Sequence, residues 1–428
     1  MNKQNLIKSD YLFMPKLYFC FPSKQAGGMS LLFMRIAEYL STTNKAQTYL
    51  IDYEDGFMSS NRDKSLTNFL AYSDENTICV PDDGILILQA MTPWSIFPGL
   101  KIGPNVKIVF WNCYPFGLVP ILPGVRTLMK SNTMVAALIL NTILYGYKRK
   151  MRDFTSLLMR LNGIIFQDTA GLDITQKYLS MNINQARFLN IPALPAKKVK
   201  LSPQQRIENE KIIKVSWVGR IVDMKYFILR YTLFKLNTIQ RELDVVIEIT
   251  IVGQGDFLAK LKKDCLDLKN LSFKFIDYLS PTDLDQFLLD ETDILLAMGT
   301  SSLEGAKLGI PTLLLDVCYK KIDDGYVYTW LHERENAPIG EILNFDNLKK
   351  GNKTLKIKIK EAMSCYDTIS ECELSHFKKH HSLTSISQSL LVYAIESGVS
   401  WKILEENRMV EKGIIYKSFS RFRNMLNS

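Results

Sequence analysis

Four short segments of the chain combine glycines with hydroxyl or cationic side chains, and each follows an apolar run. They are residues 22–30 (PSKQAGGMS), 218–225 (VGRIVDMK), 252–257 (VGQGDF) and 298–311 (MGTSSLEGAKLGIP). Backbone N–H groups at glycine turns and helix N-termini bind phosphate, and Arg and Lys side chains neutralise its charge. These residue types therefore favour the binding of an anionic ligand that carries phosphate.

The first two segments each have a structural as well as a functional interpretation. Gly27 and Gly28 precede a predicted helix, where they let a ligand approach the backbone closely or simply form a tight turn. Arg220 and Lys225 follow a predicted strand, where they hold a phosphate group or remain solvated surface cations. Asp52, at the end of the second predicted strand, is a candidate for contact with ribose hydroxyl groups.

The last two segments also follow predicted strands. Gly253 belongs to a glycine pair that suits a close-packed turn or a flat ring lying against the backbone. Thr300, Ser301 and Ser302 begin a predicted helix, and their hydroxyl and N–H groups suit a diphosphate. Glu304 lies in the first turn of that helix, where its carboxylate accepts hydrogen bonds from sugar hydroxyl groups or stabilises the helix dipole.

Short apolar runs alternate with helical stretches along most of the chain. Continuous apolar runs indicate strands that are buried on both faces, which is typical of a parallel sheet covered by helices. In the second half the pattern predicts helices at 224–241, 256–269 and 282–290. The predicted strands lie at 16–21, 47–52, 85–89, 106–111, 163–168, 214–220, 245–253, 271–277, 293–299 and 311–316.

A stretch rich in proline and lysine divides this pattern. Residues 191–205 lack apolar periodicity, and we interpret them as a linker between two domains. The sequence predicts an N-terminal domain at 1–190, a second domain at 206–355, and a helical region at 356–428 that packs back toward the N-terminal domain. Each domain is predicted to be a doubly wound α/β sheet, whose ligands bind beyond the carboxyl ends of the strands.

The four segments, taken in order, resemble family 4 of the retaining glycosyltransferases with the GT-B fold. That family has a glycine pair after strand 1, and its second domain carries Gly-Arg-x-x-x-x-Lys, Val-Gly-x-Gly and Glu-Ala-x-x-x-Gly-x-Pro motifs. The resemblance extends over about residues 16–350 and implies two Rossmann-like domains facing across a cleft. The matching residues are Gly27, Gly28, Gly219, Arg220, Lys225, Val252, Gly253, Gly255, Glu304, Gly309 and Pro311, with Gly305 in place of alanine.

The resemblance implies transfer of a hexose from a nucleoside diphosphate donor to a glycan or polyprenyl-linked acceptor. It implies retention of configuration, no metal or other cofactor, and a role in a cell-surface polysaccharide such as lipopolysaccharide O-antigen or capsule. By the resemblance, Glu304 binds the donor ribose, and Ile276, Tyr278 and Gly253 contact the base. The residues expected at the donor diphosphate are Arg220, Lys225, Gly27, Gly28, Thr300, Ser301 and Ser302.

One position departs from the family pattern. The family has a second glutamate eight residues before the one matched by Glu304, and this chain has Leu296 there. The predicted N-terminal domain also lacks histidine, so the sequence identifies no catalytic base. The departure keeps two alternatives open, namely a nucleotide-sugar epimerase and a non-catalytic scaffold of a polysaccharide assembly complex.

Residues 133–152 (TMVAALILNTILYGYKRKMR) join a mostly apolar run to a basic cluster. The pattern fits a buried helix with a solvated end. It also fits a surface helix that enters a bilayer while Lys148, Arg149, Lys150 and Arg152 contact anionic head groups. A lipid-linked acceptor favours the second interpretation, which predicts peripheral attachment to the inner face of the cell membrane.

The remaining composition favours a cytoplasmic globular protein. The net charge is +9, but the basic patch lies among aliphatic residues, so no nucleic-acid partner is predicted. The seven cysteines form no Cys-x-x-Cys pair, which predicts unpaired thiols. His376 and His380 have helical spacing, but lysines lie between them and no cysteine completes a site, so no metal centre is predicted. Neither a signal peptide nor a membrane span is predicted.

Overall fold

The chain divides into two compact units in a computed structural model. The first unit comprises Met1–Asn190 with Ile386–Ser428, and the second comprises Ile191–Ser385. Each unit contains one six-stranded sheet flanked by helices, which confirms the predicted α/β class. The structure describes residues 14–24, 27–114, 116–119, 133–334, 339–343, 345 and 354–413.

The sheet of the first unit is parallel and has the order β3-β2-β1-β5-β7-β8. Its inner strands are buried because they carry apolar side chains on both faces; Leu17, Phe19 and Cys20 of β1 are fully buried. The elements are β1 (Lys16–Cys20), α1 (Gly28–Thr42), β2 (Gln47–Tyr53), α2 (Phe57–Asn61), β3 (Asn68–Tyr72), β4 (Ile78–Val80), β5 (Gly84–Gln89), β6 (Leu100–Ile102), β7 (Lys107–Asn112), α3 (Thr133–Asn141), α4 (Tyr145–Arg160), β8 (Ile164–Phe166) and α5 (Thr169–Leu179).

Three strands of the first unit were not predicted from the sequence. β3 is the edge strand of the main sheet, and most of its residues stay partly exposed. β4 and β6 are three residues long and pair only with each other. Short or edge strands lack the continuous apolar run that reveals a buried parallel strand, so the pattern missed them.

The sheet of the second unit has the order β11-β10-β9-β12-β13-β14 and is parallel except for β14, which runs antiparallel to β13. All five strands predicted in this part of the sequence are confirmed, with ends that shift by a few residues. The elements are α6 (Gln204–Glu210), β9 (Ile212–Val218), α7 (Asp223–Leu243), β10 (Val246–Val252), α8 (Leu258–Cys265), β11 (Ser272–Ile276), α9 (Pro281–Glu291), β12 (Ile294–Ala297), α10 (Ser301–Ala306), β13 (Thr312–Leu314), β14 (Thr329–Trp330), α11 (Leu355–Ser364) and α12 (Tyr366–His380).

Residues 191–205, which the sequence predicts to be a linker, belong to the second unit. The Lys200 Nζ atom donates to the carbonyl oxygen of Leu289 at 2.6 Å, and Arg206 donates to both carboxylate oxygens of Asp293 at 2.6 Å. Asp293 is fully buried at the start of β12. Lys200, one of the lysines of this stretch, is thus anchored to the second unit, and we describe the stretch as a strap of that unit.

The C-terminal helices divide between the units at a different point from the predicted residue 356. Helices α11 and α12 belong to the second unit, and the boundary falls within α13 (Leu383–Glu396). Beyond it the chain joins the first unit, where Ile108 N–H donates to Val399 O at 2.9 Å and Trp401 N–H to Val106 O at 3.1 Å. The last described helix is α14 (Trp401–Glu406).

Candidate functional site

The strand order of the second unit reverses between β9 and β12, which are neighbours in the sheet. Helices leave these two strands toward opposite sides in a doubly wound sheet, and a crevice opens beyond their carboxyl ends. Residues 219–225 follow β9 and residues 298–304 follow β12. The tertiary structure therefore brings the second and fourth predicted segments together at the place where open α/β sheets bind ligands.

Gly219 is the point at which these two segments meet. Its φ of +149° is one that residues with a side chain rarely adopt. A β-carbon built on Gly219 would lie 3.3 Å from Lys225 Nζ and 3.5 Å from Ser301 Oγ. The ammonium group and the hydroxyl group thus both lie close to the backbone of Gly219.

The cations at this position have no anionic partner among the described residues. Lys225 is half-buried, and its Nζ atom lies 5.7 Å from the centre of the Trp217 ring. Burial and, secondly, the nearby charge of Arg220 lower the pKa of Lys225. Arg220 is exposed and makes no hydrogen bond or ion pair within the described chain. Two adjacent unbalanced cations make this position attractive to an anion.

Gly253 and Gly255 have a packing role in the structure. The loops after β9 and β10 are joined by hydrogen bonds, with Gly219 N–H donating to Val252 O and Ile221 N–H to Gln254 O. A β-carbon on Gly253 would lie 2.1 Å from the Gly219 carbonyl oxygen, and one on Gly255 would lie 2.3 Å from that of Ile221. The close-packed turn, one of the two interpretations of this segment, therefore accounts for both glycines.

The turn expected to contact a base lies at the end of β11. The carbonyl oxygen of Ile276 accepts a hydrogen bond from Gly253 N–H at 2.9 Å, so part of its capacity is used within the protein. Tyr278 is 74% exposed. Base binding by Ile276, Tyr278 and Gly253 stays a prediction.

Helix α10 presents fewer free groups than the sequence suggests. Ser302 is fully buried, its hydroxyl group donates to Gly299 O at 2.7 Å, and its N–H donates to the same oxygen at 3.0 Å. The prediction that Ser302 binds a diphosphate is therefore wrong, because its side chain completes the turn before the helix. Thr300 precedes the helix without capping it, whereas Ser301 directs its hydroxyl group toward Gly219 while donating to Met298 O at 3.1 Å.

Glu304 takes part in an ion-pair chain with Lys307 and Asp285. Its Oε2 atom lies 2.5 Å from Lys307 Nζ, which lies 2.7 Å from Asp285 Oδ1 in α9. Lys307 is largely buried; burial opposes its charge, but the bonds to Asp285 and Glu304 prevail and raise its pKa. The Glu304 side chain remains 31% exposed, so one face of the carboxylate is open to a ligand.

Leu296 lies inside β12, paired with Trp217 of β9 and Leu313 of β13, and is buried. The position eight residues before Glu304 lies within β12, because the segment from the end of β12 to Glu304 is short. A carboxylate at Leu296 would be in the core rather than at the sheet edge.

In the first unit, Gly27 and Gly28 lie at the start of α1. Gly27 has an extended conformation, and a β-carbon on Gly28 would meet no atom of the described residues within 4 Å. The space that a ligand would need at Gly28 is thus present, but nothing in the backbone conformation requires glycine. The predicted approach of a donor to these residues stays a prediction.

Asp52 is not a ligand-binding residue. It is fully buried and accepts hydrogen bonds from the N–H groups of Ser23, Tyr53 and Met58 at 2.7–2.8 Å. Burial raises the pKa of this carboxyl group, although the backbone N–H groups oppose the shift. Its carboxylate holds the loops after β1 and β2 together, so the suggested ribose contact is wrong.

The four cations predicted to contact lipid differ from one another in burial and in hydrogen bonding. Lys148 is buried and donates to Asn141 Oδ1 at 2.6 Å and Ser180 Oγ at 2.7 Å, so its predicted lipid contact is wrong. Lys150 is partly buried and donates to Glu411 O at 2.7 Å. Arg149 and Arg152 are exposed on α4. In the described part of the chain, every helix is too short or too polar to cross a bilayer.

All four histidines of the chain lie in the second unit, three of them around α12. The ring of His376 is 4.9 Å from that of His380 and 5.5 Å from that of His381, between centres. Burial lowers the pKa of His376 to about 3 and that of His381 to about 4. Within the ranges described, His, Cys, Asp and Glu side chains form no group suited to a metal ion, and all seven cysteines are free.

Solved structures of low sequence identity share the architecture of this chain. A glycosyltransferase from Rickettsia africae ESF-5 superimposes with a TM-score of 0.51 at 13% identity, over 91% of this chain and all of the other. The chain has the GT-B fold. The galactosyltransferase WaaB of the lipopolysaccharide outer core matches with a TM-score of 0.50 at 12% identity, over 90% of this chain and all of WaaB.

A third match is Alr3699/HepE from Anabaena, solved with UDP and glucose, with a TM-score of 0.48 at 12% identity over 88% of this chain and 98% of its own. No protein-family model and no curated protein sequence matches the chain. The GT-B likeness is therefore one of fold.

Two residues of the site in the second unit were not predicted from the sequence. Trp217 lies beneath Lys225, and a tryptophan two residues before the Gly-Arg pair is a signal that would have suggested it. Lys307 holds Glu304, and its i,i+3 spacing from that residue was visible in the sequence. Its second partner, Asp285, lies on another helix, so only the tertiary structure shows it.

Proposed function

We propose that the protein is a glycosyltransferase that moves a sugar from a nucleoside diphosphate donor to an acceptor. One observation carries the proposal: Lys225 and Ser301 both lie beside Gly219 at the carboxyl ends of β9 and β12, and neither Lys225 nor Arg220, the residue after Gly219, has an anionic partner among the described residues. A diphosphate is the ligand whose charge and hydrogen-bond acceptors suit this group of side chains.

The same cations suit the reaction as well as binding. Cleavage of the bond between sugar and diphosphate leaves additional negative charge on the departing phosphate. Fixed cations stabilise that charge more in the transition state than in the ground state, which is the requirement for catalysis. Because Arg220 and Lys225 supply positive charge directly, the proposal includes metal-independent hexosyl transfer. Retention of configuration is a further part of the proposal.

Glu304 is the proposed ribose ligand. The carboxylate is held by Lys307, so its position is fixed before a ligand arrives, and its exposed face is free to accept hydrogen bonds from hydroxyl groups. Preorganisation of this kind lowers the entropy that binding costs.

The acceptor that we propose is a glycan or lipid-linked intermediate of a cell-surface polysaccharide, handled on the cytoplasmic side. WaaB, which shares the fold, is a lipopolysaccharide outer core galactosyltransferase, so lipopolysaccharide core and polyprenyl diphosphate glycans are the first acceptors to test.

The burial of Leu296 favours a second candidate. Without a carboxylate at the transferred sugar, the donor site is compatible with a nucleotide-sugar epimerase or a non-catalytic scaffold. Both alternatives are compatible with nucleotide binding; an epimerase would form a different product, and a scaffold would form none.

A thermal-shift series with UDP, GDP, ADP and CMP tests the proposal. We expect one diphosphate to raise the melting temperature of the wild type, and CMP, which lacks the second phosphate, to have a smaller effect. Incubation of the corresponding nucleotide sugar with the acceptors named above then separates sugar transfer from epimerisation and from binding alone. If none of UDP, GDP and ADP raises the melting temperature, the proposed function is wrong.

A further inference from the structure

An open cavity of about 710 Å³ lies in the first unit, between the end of α4 and the segment 181–187 (MNINQAR). Its volume falls within the range of about 300–1,000 Å³ that is usual for small-molecule sites. We call it the amide cavity, because most of its polar side chains are amides. The polar side chains that line it are those of Ser156, Asn162, Asn182, Asn184, Gln185 and Arg187.

The segment that forms one wall of the amide cavity is anchored at both ends. Met181 N–H donates to the backbone oxygen of Gln176 at 3.1 Å, and Ile183 N–H donates to the side-chain oxygen of the same residue at 2.8 Å. At the other end, the carbonyl oxygen of Arg187 accepts from Phe166 N–H in β8 at 2.9 Å. The wall is therefore in place before a ligand arrives, which lowers the entropy that binding costs.

The amide groups of this wall are available to a ligand. Except for Arg187, the polar side chains that line the cavity are exposed and make no hydrogen bond with any described residue. Each amide offers both donors and an acceptor, and the Ser156 hydroxyl group does the same. Such a wall suits a ligand with many hydroxyl groups, because each hydroxyl group also donates and accepts.

The amide cavity is close to neutral. Arg187 is the one charged residue among the described residues that line it. Its Nη2 atom lies 2.8 Å from Glu396 Oε2, and its guanidinium group lies 4.9 Å from the centre of the Tyr393 ring. Because the charge of Arg187 is balanced, the cavity lacks the excess positive charge that a phosphate or carboxylate ligand requires.

Two methionines give the cavity an apolar part as well. Met159 and Met181 line it and are partly buried against the main core of the first unit. The methionine side chain is flexible and polarisable, so it adapts to the shape of an apolar surface. A sugar ring presents C–H groups on its faces and hydroxyl groups around its edge, which is the combination that this wall matches.

The amide cavity lies away from the sheet edge at which the donor is expected. Asn162 precedes β8, and Phe188 pairs in parallel with Phe166, so both lining segments approach the sheet at the amino end of β8. Gly27 and Gly28 instead follow the carboxyl end of β1 in the same parallel sheet. Open α/β sheets bind their main ligand at the carboxyl ends, so a ligand in the amide cavity occupies a separate site.

We propose that the amide cavity binds a neutral oligosaccharide. Asn182, Asn184 and Gln185 on one wall and Ser156 and Asn162 on the other form hydrogen bonds with its hydroxyl groups. The methionines contact a ring face.

This inference rests on the first unit alone and does not require the proposed function. If both hold, the cavity retains part of a glycan acceptor or product away from the site of transfer. The experiment therefore measures oligosaccharide binding directly and needs neither a nucleotide nor sugar transfer.

The test is titration calorimetry of the purified full chain with pentasaccharides of glucose, mannose, galactose and N-acetylglucosamine. We expect the wild type to bind at least one of them, with an affinity that is nearly the same at low and high salt because the ligand is uncharged. The pentasaccharide of galacturonic acid, which adds carboxylates, should bind more weakly than the best neutral one.

Two variants change the cavity in different ways. N182A/N184A removes two amides, and S156W fills the space from an exposed position on α4. Each should lower the affinity for the best pentasaccharide by about tenfold or more. N76A/T77A, which changes two exposed polar residues elsewhere in the first unit, is the matched control and should bind like the wild type. A wild-type melting temperature without ligand shows that each variant is folded.

Three outcomes would overturn the proposal. The wild type could bind none of the four neutral pentasaccharides. The galacturonic acid pentasaccharide could bind most tightly and lose affinity at high salt, which would make the cavity an anion site. N182A/N184A and S156W could both keep wild-type affinity, which would place the saccharide elsewhere on the chain. Failure of the proposed function would instead remove the thermal shift with nucleoside diphosphates and leave these results unchanged.

Discussion

The ammonium group of Lys225 and the hydroxyl group of Ser301 flank one position beside Gly219, within 3.3 and 3.5 Å of where a β-carbon there would lie. The two residues are far apart in sequence and meet only because β9 and β12 are neighbours in the sheet. Neither Lys225 nor Arg220 has an anionic partner among the described residues, so positive charge is unbalanced at this position.

Removal of either cation should weaken nucleoside diphosphate binding. We expect R220A and K225A each to raise the Kd by a factor of about 10 to 150, the equivalent of about 1.5–3 kcal/mol for a charge-assisted hydrogen bond. Titration calorimetry with the diphosphate that stabilises the wild type measures the effect. K235A removes a lysine from the same helix, where it pairs with Asp324, and should leave the Kd unchanged. Wild-type affinity in both R220A and K225A would show that the ligand binds elsewhere.

Nucleoside diphosphate affinity should fall as the pH rises through the alkaline range. In the empty site the pKa of Lys225 lies below its ordinary value of 10.5, and a bound anion raises it again. Binding therefore takes up a proton once the pH exceeds the lowered pKa of the empty site. Calorimetry in buffers of different ionisation enthalpy detects this uptake, and K225A should abolish it. Equal proton uptake by K225A would exclude Lys225 as the source.

The E304A and D285N variants distinguish a ribose ligand from a structural carboxylate. Each removes one of the two partners of Lys307, and the other partner remains, so both should lose about 1 kcal/mol or less of stability. Only E304A should also weaken nucleotide binding. Equal nucleotide affinities in E304A and D285N would assign Glu304 to the ion-pair chain alone.

Two glycines of the first unit should respond oppositely to alanine. A β-carbon on Gly56 would lie 2.3 Å from the carboxylate of Asp52, and we expect G56A to lose about 1–3 kcal/mol in denaturant unfolding. Gly28 has open space, so G28A should be at least as stable as the wild type. If a donor approaches the backbone there, G28A lowers the rate of sugar transfer despite its stability. An unchanged rate of sugar transfer in G28A would show that the Gly27-Gly28 loop is only a tight turn.

Stability should decrease as the pH falls below about 6.5. Burial keeps His376 and His381 neutral, with pKa values of about 3 and 4, whereas the unfolded chain protonates near 6.5. The unfolded state therefore binds more protons in this window, and each histidine costs about 1.4 kcal/mol per pH unit until its folded pKa is reached. Urea unfolding of the wild type and H376Q between about pH 7.5 and about pH 5 should show a smaller slope of unfolding free energy against pH in the variant. Identical slopes would exclude His376 as a contributor.

The sequence predicted the two α/β units because their strands are continuous apolar runs, which local composition reveals. It also located the ends of β9, β10 and β12, where glycine, arginine and hydroxyl residues interrupt those runs. Such features depend on a few neighbouring residues, so they can be read without knowing which strands pair.

Tertiary structure alone decided which of these residues are available. Ser302 and Lys148 look like surface ligands in the sequence, yet both are buried with internal partners. Asp52 became a hydrogen-bond acceptor for two loops, and Leu296 became part of a strand interior. Burial and partners depend on which distant segments pack together, and composition does not record that. The sequence by itself therefore determined which polar residues follow the strands. The tertiary structure decided that Lys225 and Ser301 lie close together beside Gly219.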